Sequence, residues 1–151
     1  MRPPPPRRSV NARTKTNVND SAKMSVLDGI YATLPALECR KLCSVSCGPI
    51  VVSRLEAKRL NGRHPIRTRP MPTRIESGQS LGVGKLVETD ACCNCPMLEA
   101  GQCSVYDIRP AICRLWGLVP SMPCPFGCVP ERQLSEREGF EFMEKVFRLG
   151  F

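Results

Sequence analysis

The sequence predicts a small irregular, mainly-α domain with long loops, organised around a cysteine-ligated metal site. Three observations carry that expectation. Ten cysteines are grouped within 151 residues. Short segments with helical apolar spacing are introduced by capping-box pairs. Between the cysteine groups lies a long stretch punctuated by proline and glycine.

Residues 1–23 come first. They contain four consecutive prolines, Pro3 to Pro6, six Lys/Arg and a single acid, Asp20. With almost no large apolar side chain to bury, this segment is expected to be a disordered basic tail. It holds +5 of the net charge of +8, leaving +3 for residues 24–151. The latter are expected to form one cysteine-cluster domain, since the length suits a single modest core.

From Ser25 the pattern changes. Leu27, Ile30, Tyr31 and Leu34 fall at helical spacing and form one apolar face, which Pro35 interrupts. Pro35 fits the first position of a second short helix carrying Glu38, Cys39 and Cys43, where its missing N–H costs nothing. Ser53 and Glu56 have capping-box spacing, with Asn61-Gly62 as the stop of the helix between them. Arg63 to Val87 reads as a long irregular loop, broken by Pro65, Pro70, Pro72, Gly78, Gly82 and Gly84. Asp107 to Leu118 predicts a helical turn with Pro110 at its start. Ser135 and Glu138 form a second capping box ahead of a helix whose inward stripe is Phe140, Met143 and Phe147.

The cysteines supply the chemistry. They fall into three groups: Cys39, Cys43 and Cys47; Cys92, Cys93 and Cys95; and Cys103, Cys113, Cys124 and Cys128. On a helix Cys39 and Cys43 share a face and can chelate one ion, with Cys47 just beyond and a fourth thiolate supplied by the second half of the chain. One ion bridging the halves would close the Arg63 to Val87 loop and supply much of the folding free energy. Free cysteines also serve as small buried hydrophobes, but ten of them flanked by Gly, Pro and charges are hard to place in a core. A disulfide framework needs an oxidising compartment. The N-terminal stretch carries no secretory pattern and no segment approaches the roughly 20 apolar residues of a membrane span, so a cytoplasmic protein is expected.

The run Cys95-Pro96-Met97-Leu98, Gly101-Gln102-Cys103-Ser104-Val105-Tyr106 and Arg109-Pro110-Ala111-Ile112-Cys113-Arg114 resembles the signature of the YkgJ-type cysteine-cluster family, a zinc- or iron-chelating domain. Cys39-x3-Cys43-x3-Cys47-Gly48-Pro49 and the following Ser53-x-x-Glu56 resemble the same family's first cluster, which usually ends in two adjacent cysteines where this chain has Ser46-Cys47. The resemblance implies thiolate metal binding and no established reaction. Cys39, Cys43, Cys47, Cys95, Cys103 and Cys113 are therefore the principal candidate ligands, with Cys124, Cys128, Cys92 and Cys93 as further ones. The expected cofactor is zinc or iron, the latter including a 4Fe–4S cluster.

Other functions are less well supported. Arg63, Arg67, Arg69 and Arg74 form an acid-free run which, with the basic tail, could contact nucleic acid in a zinc-stabilised binding module. A metal-dependent or redox enzyme would need an open coordination position. No phosphate-cradling glycine loop, paired-carboxylate constellation or zinc-protease helix appears, and His64 is the only histidine. A protein partner of unidentified kind completes the expectation, with no membrane association.

Overall fold

The computed structural model describes residues 11–74 and 80–149. Helix α1 spans Asn11–Tyr31, and a 3-10 turn covers Cys43–Ser46. Strand β1 (Val51–Val52) leads into α2 (Arg54–Arg63), followed by β2 (Thr68–Arg74) and β3 (Ser80–Val87). A second small hairpin pairs β4 (Leu98–Glu99) with β5 (Gln102–Cys103). Helix α3 (Ala111–Arg114) and the long α4 (Glu136–Leu149) complete the chain.

The architecture is mixed α/β rather than mainly-α. The segment expected to be a long loop forms most of a three-stranded antiparallel sheet, in the order β1-β3-β2. Its prolines are compatible with that sheet because β2 is an edge strand. Pro70 and Pro72 are two residues apart, so both present their N-substituted side to the same, outer flank, and the ladder to Lys85 and Val83 loses no donor. Gly84 has its own reason to be glycine: a Cβ there would lie 2.8 Å from Val51 Cγ1, 2.9 Å from Phe147 Cε1 and 3.0 Å from Thr73 Cγ2. Its missing side chain lets α4 sit against the sheet. This hairpin is closed by its own strand pairing, so the expectation that an ion closes it is replaced.

Nor is the body organised around a metal site. Two apolar clusters hold it together. The larger joins all four helices through Leu27, Tyr31, Leu55, Ala111, Leu115 and Phe142, among others. The smaller joins the sheet to the second half of the chain through Val52, Leu60, Val87, Met97 and Val105. Burial at about 25 cal/mol per Å² of apolar surface makes these clusters the main source of stability.

Two helix expectations are revised. Residues 11–23, expected in the tail, belong to α1. The helix is anchored by Leu27 and Tyr31 in the core, and the Asp20–Lys58 and Asp28–Arg59 ion pairs tie it to α2. With no proline between Asn11 and Leu34, each further residue extends a nucleus already formed. The second short helix after Pro35 does not form. Lys41 adopts a positive φ of 58°, its N–H turns back to Cys39 Sγ at 3.3 Å, and Cys39 and Cys43 do not share a helical face.

Both capping boxes are present. Ser53 Oγ accepts from Glu56 N–H while the Glu56 carboxylate accepts from Ser53 N–H at 2.8 Å, and Ser135 and Glu138 repeat the exchange at the start of α4. The buried face of α4 is rotated from the expected stripe. Phe142, Val146 and Phe147 are buried, Phe142 packs against Tyr31 with ring centroids 6.2 Å apart, and Phe140 is exposed.

Candidate metal centre

Three separated segments bring four thiols to one cavity. Cys47 ends the 3-10 turn, its N–H bonded to Ser44 O at 3.0 Å. Cys95 precedes the β4–β5 hairpin and Cys103 lies in its second strand; the two-residue turn between the strands is Ala100-Gly101. Both turn residues have positive φ, 50° and 77°, which is the geometry that matches the twist of a tight hairpin and favours Gly at the second position. The pairing sets Cys103 opposite Leu98. Cys113 lies in α3, directly after the Arg109-Pro110 pair.

Cys47, Cys95, Cys103 and Cys113 line the cavity together with Arg109 and Trp116, against an apolar wall that includes Ile50, Met97 and Val105. Burial pushes the Cys113 thiol well above its ordinary range, and Cys95, Cys47 and Cys103 push it further, with Arg109 opposing them. Burial likewise raises Cys95, partly offset by the Met97 N–H bonded to its sulfur, while neighbouring Cys103 raises it again. Four thiols so placed cannot all ionise in an apolar cavity unless a cation joins them. As placed, no group of three or more His, Cys, Asp or Glu side chains among the described residues is arranged to hold an ion. Ligation therefore requires the four sulfurs to draw together.

The donor set suits a thiophilic ion in kind and number. A further observation fits. Arg109 Nε is buried and has no hydrogen-bond partner among the described residues, while the guanidinium stacks on Tyr106 at 4.1 Å. Four thiolates on one divalent ion carry a net charge of −2, and the half-buried Arg109 on the cavity wall offsets part of it.

Comparison with known proteins gives no match. No family model matches the chain, and no curated protein or solved structure matches it.

The remaining candidates lie elsewhere. Cys39 accepts the Lys41 N–H outside this cavity. Cys92 and Cys93 are exposed on a loop held by Asp90, whose carboxylate accepts from Cys92 N–H and Asn94 N–H, both at 2.9 Å. Cys124 and Cys128 form a pair of their own. The side chain of Cys43 lies outside the described residues, although its backbone opens the turn that delivers Cys47. Among the arginines of the basic run, Arg63 forms a two-pronged pair with Asp107 at 3.0 and 3.1 Å, Arg67 and Arg69 are exposed, and the Arg74 side chain lies outside the described residues. His64 faces Glu99 at 3.5 Å. Among the described residues, no helix is long and apolar enough to cross a membrane.

Sequence reasoning missed the residue that fixes Cys113 relative to the rest. Glu56 is 2% exposed, and beyond its cap it accepts the Tyr31 hydroxyl at 2.5 Å and the Ala111 N–H, at the start of α3, at 2.6 Å. One carboxylate thus joins α1, α2 and the segment bearing Cys113. The capping-box spacing reveals only its local half.

Proposed function

We propose that this chain is a thiolate metal-binding protein in which Cys47, Cys95, Cys103 and Cys113 hold zinc or iron. The observation that carries the reading is that four thiols from three separated segments line one cavity. The unpartnered Arg109 Nε supports it as a counter-charge, and so does the resemblance of the Cys95 to Arg114 motifs to the YkgJ-type family. When bound, the ion supplies either a structural cross-link or, as an iron–sulfur cluster, one-electron chemistry. The chain's residues supply the sulfur ligands, an N–H bond from Met97 to Cys95, and the apolar wall that restricts water. A reducing, cytoplasmic setting follows from the need for free thiolates.

The test is anaerobic purification followed by metal analysis, labile-sulfide analysis and a visible spectrum. Colourless protein with stoichiometric zinc identifies zinc, and broad visible absorption with sulfide identifies an iron–sulfur cluster. Folded protein that is metal-free as purified and takes up neither zinc nor iron on reconstitution refutes the reading.

A further inference from the structure

A second cavity, of about 220 Å³, lies between the residues just past the end of α1 and one face of α4, and it shares no residue with the thiol-lined one. Its floor is apolar and fixed. Leu134 and Phe142 belong to the larger core cluster, with half-buried Leu34 packed against it. Phe142 is held against Tyr31, and the Leu134 N–H is bonded to Leu118 O at 2.8 Å. The rim carries both signs of charge, Arg132 and Lys145 with Glu138 and Glu141.

These four charged groups are not equally engaged. Glu138 uses both oxygens within the protein: Oε1 accepts from Arg132 Nη1 at 2.9 Å and Oε2 from the Ser135 N–H at 2.8 Å. Glu141 and Lys145 stand four residues apart on α4, with the acid nearer the N-terminus, which is the favoured order for an ion pair along a helix. That pair does not form. Glu141 Oε1 instead accepts from Arg137 Nε at 3.0 Å, on the preceding turn. Among the described residues, Glu141 Oε2 and the Lys145 ammonium are left without partners at the edge of the cavity.

We propose that this cavity binds a free α-amino acid with a small aliphatic side chain, its carboxylate on Lys145, its ammonium on Glu141 Oε2 and its side chain over Leu34, Leu134 and Phe142. A simple carboxylate placed here would meet Glu138 and Glu141, and a simple amine would meet Arg132 and Lys145. A zwitterion matches both signs at once, so the repulsive half of the rim rejects the other two classes. The volume falls below the roughly 300–1,000 Å³ of drug-sized pockets, which sets the ligand at one amino acid rather than a peptide. Charge-assisted hydrogen bonds supply the recognition at both ends. The floor disfavours a polar side chain, which would lose water there without gaining a partner. This site does not depend on the proposed metal centre, because the two have no residue in common.

The experiment titrates the full-length ¹⁵N-labelled protein with L-valine, isobutylamine and 3-methylbutanoate. The three share one side chain and carry both charged groups, the ammonium alone or the carboxylate alone. L-Valine should give saturable amide shifts at Thr33, Leu34, Leu134 and the α4 residues from Glu141 to Lys145. The amine and the carboxylate should each bind more weakly by about tenfold or more, a comparison made on the wild-type chain and so independent of any variant's folding. Lys145→Met and Glu141→Gln change exposed positions outside the core, and each should weaken L-valine by about tenfold or more while the thermal midpoint stays unchanged. Absence of saturable shifts at these residues with L-valine, equal binding of the three compounds, or undiminished L-valine affinity in both variants overturns the proposal.

Discussion

Replacing Glu56 by alanine removes the acceptor of three buried donors at once. These are the Tyr31 hydroxyl at 2.5 Å, the Ala111 N–H at 2.6 Å and the Ser53 N–H at 2.8 Å. Each donor left buried without a partner costs about 1–3 kcal/mol, so Glu56→Ala should destabilise the protein by roughly 3–9 kcal/mol. That is a large part of the 5–15 kcal/mol, roughly, that holds a domain folded. Glu56→Gln keeps one oxygen and turns an amide group toward a donor, so its cost should be smaller, about 2–3 kcal/mol. The assay is urea unfolding followed by circular dichroism at constant metal load, reading the midpoint at unchanged slope. The Glu56→Gln and Tyr31→Phe changes should also couple in a double-mutant cycle, because each removes one side of the same bond. A Glu56→Ala protein within about 1 kcal/mol of wild type would show that water replaces the carboxylate and that the three segments do not depend on it.

Burial, reinforced by Glu56, raises the Tyr31 phenol well above its ordinary range, with Arg114 and Arg59 opposing. In the unfolded chain tyrosine ionises near pH 10, so the stability Tyr31 contributes should be intact below about pH 10 and fall by up to ~1.4 kcal/mol per pH unit above it. Unfolding from pH 8 to 11.5 should show Tyr31→Phe lacking that part of the loss. Gly84→Ala places a methyl against Val51, Phe147 and Thr73. It should lower stability by about 1–3 kcal/mol through overpacking, measured by thermal unfolding. Phe142→Ala should cost about 3–5 kcal/mol while exposed Phe140→Ala costs under ~1, which reports the rotated face of α4. Cys113→Ser and Cys95→Ser should each lose most of the bound metal on elemental analysis, while Cys92→Ser retains it. Equal metal in all three would remove those residues from the centre.

What is legible in the sequence is what depends on near neighbours. Ser53 with Glu56 and Ser135 with Glu138 are three residues apart, and both caps form where that spacing places them. The apolar spacing of Leu27 and Tyr31 reports a real buried face for the same reason. The β2–β3 hairpin is not legible because its prolines and glycines carry the same signal in a loop as on an edge strand beside a close-packed helix. The grouping of the cysteines in the sequence does not tell which of them meet in the fold. Chain proximity suggests Cys39 with Cys43, whereas a single positive φ at Lys41 turns Cys39 aside, and topology associates Cys47 with Cys95, Cys103 and Cys113, far along the chain. The reach of Glu56 to Tyr31 and Ala111, across 25 and 55 residues, leaves no local pattern.

The β4–β5 hairpin makes the distance along the chain between two of the proposed ligands rigid. Its turn has two residues, each with positive φ, and each strand has only two. A sheet side chain changes face with every residue, so one inserted or deleted position at Ala100-Gly101 would swing Cys103 from the cavity to the opposite side while leaving Cys95 in place. The hairpin therefore behaves as a fixed-length caliper. Insertions there should abolish the proposed metal centre without unfolding the two apolar clusters, a separation of binding from folding that engineering of this segment can exploit.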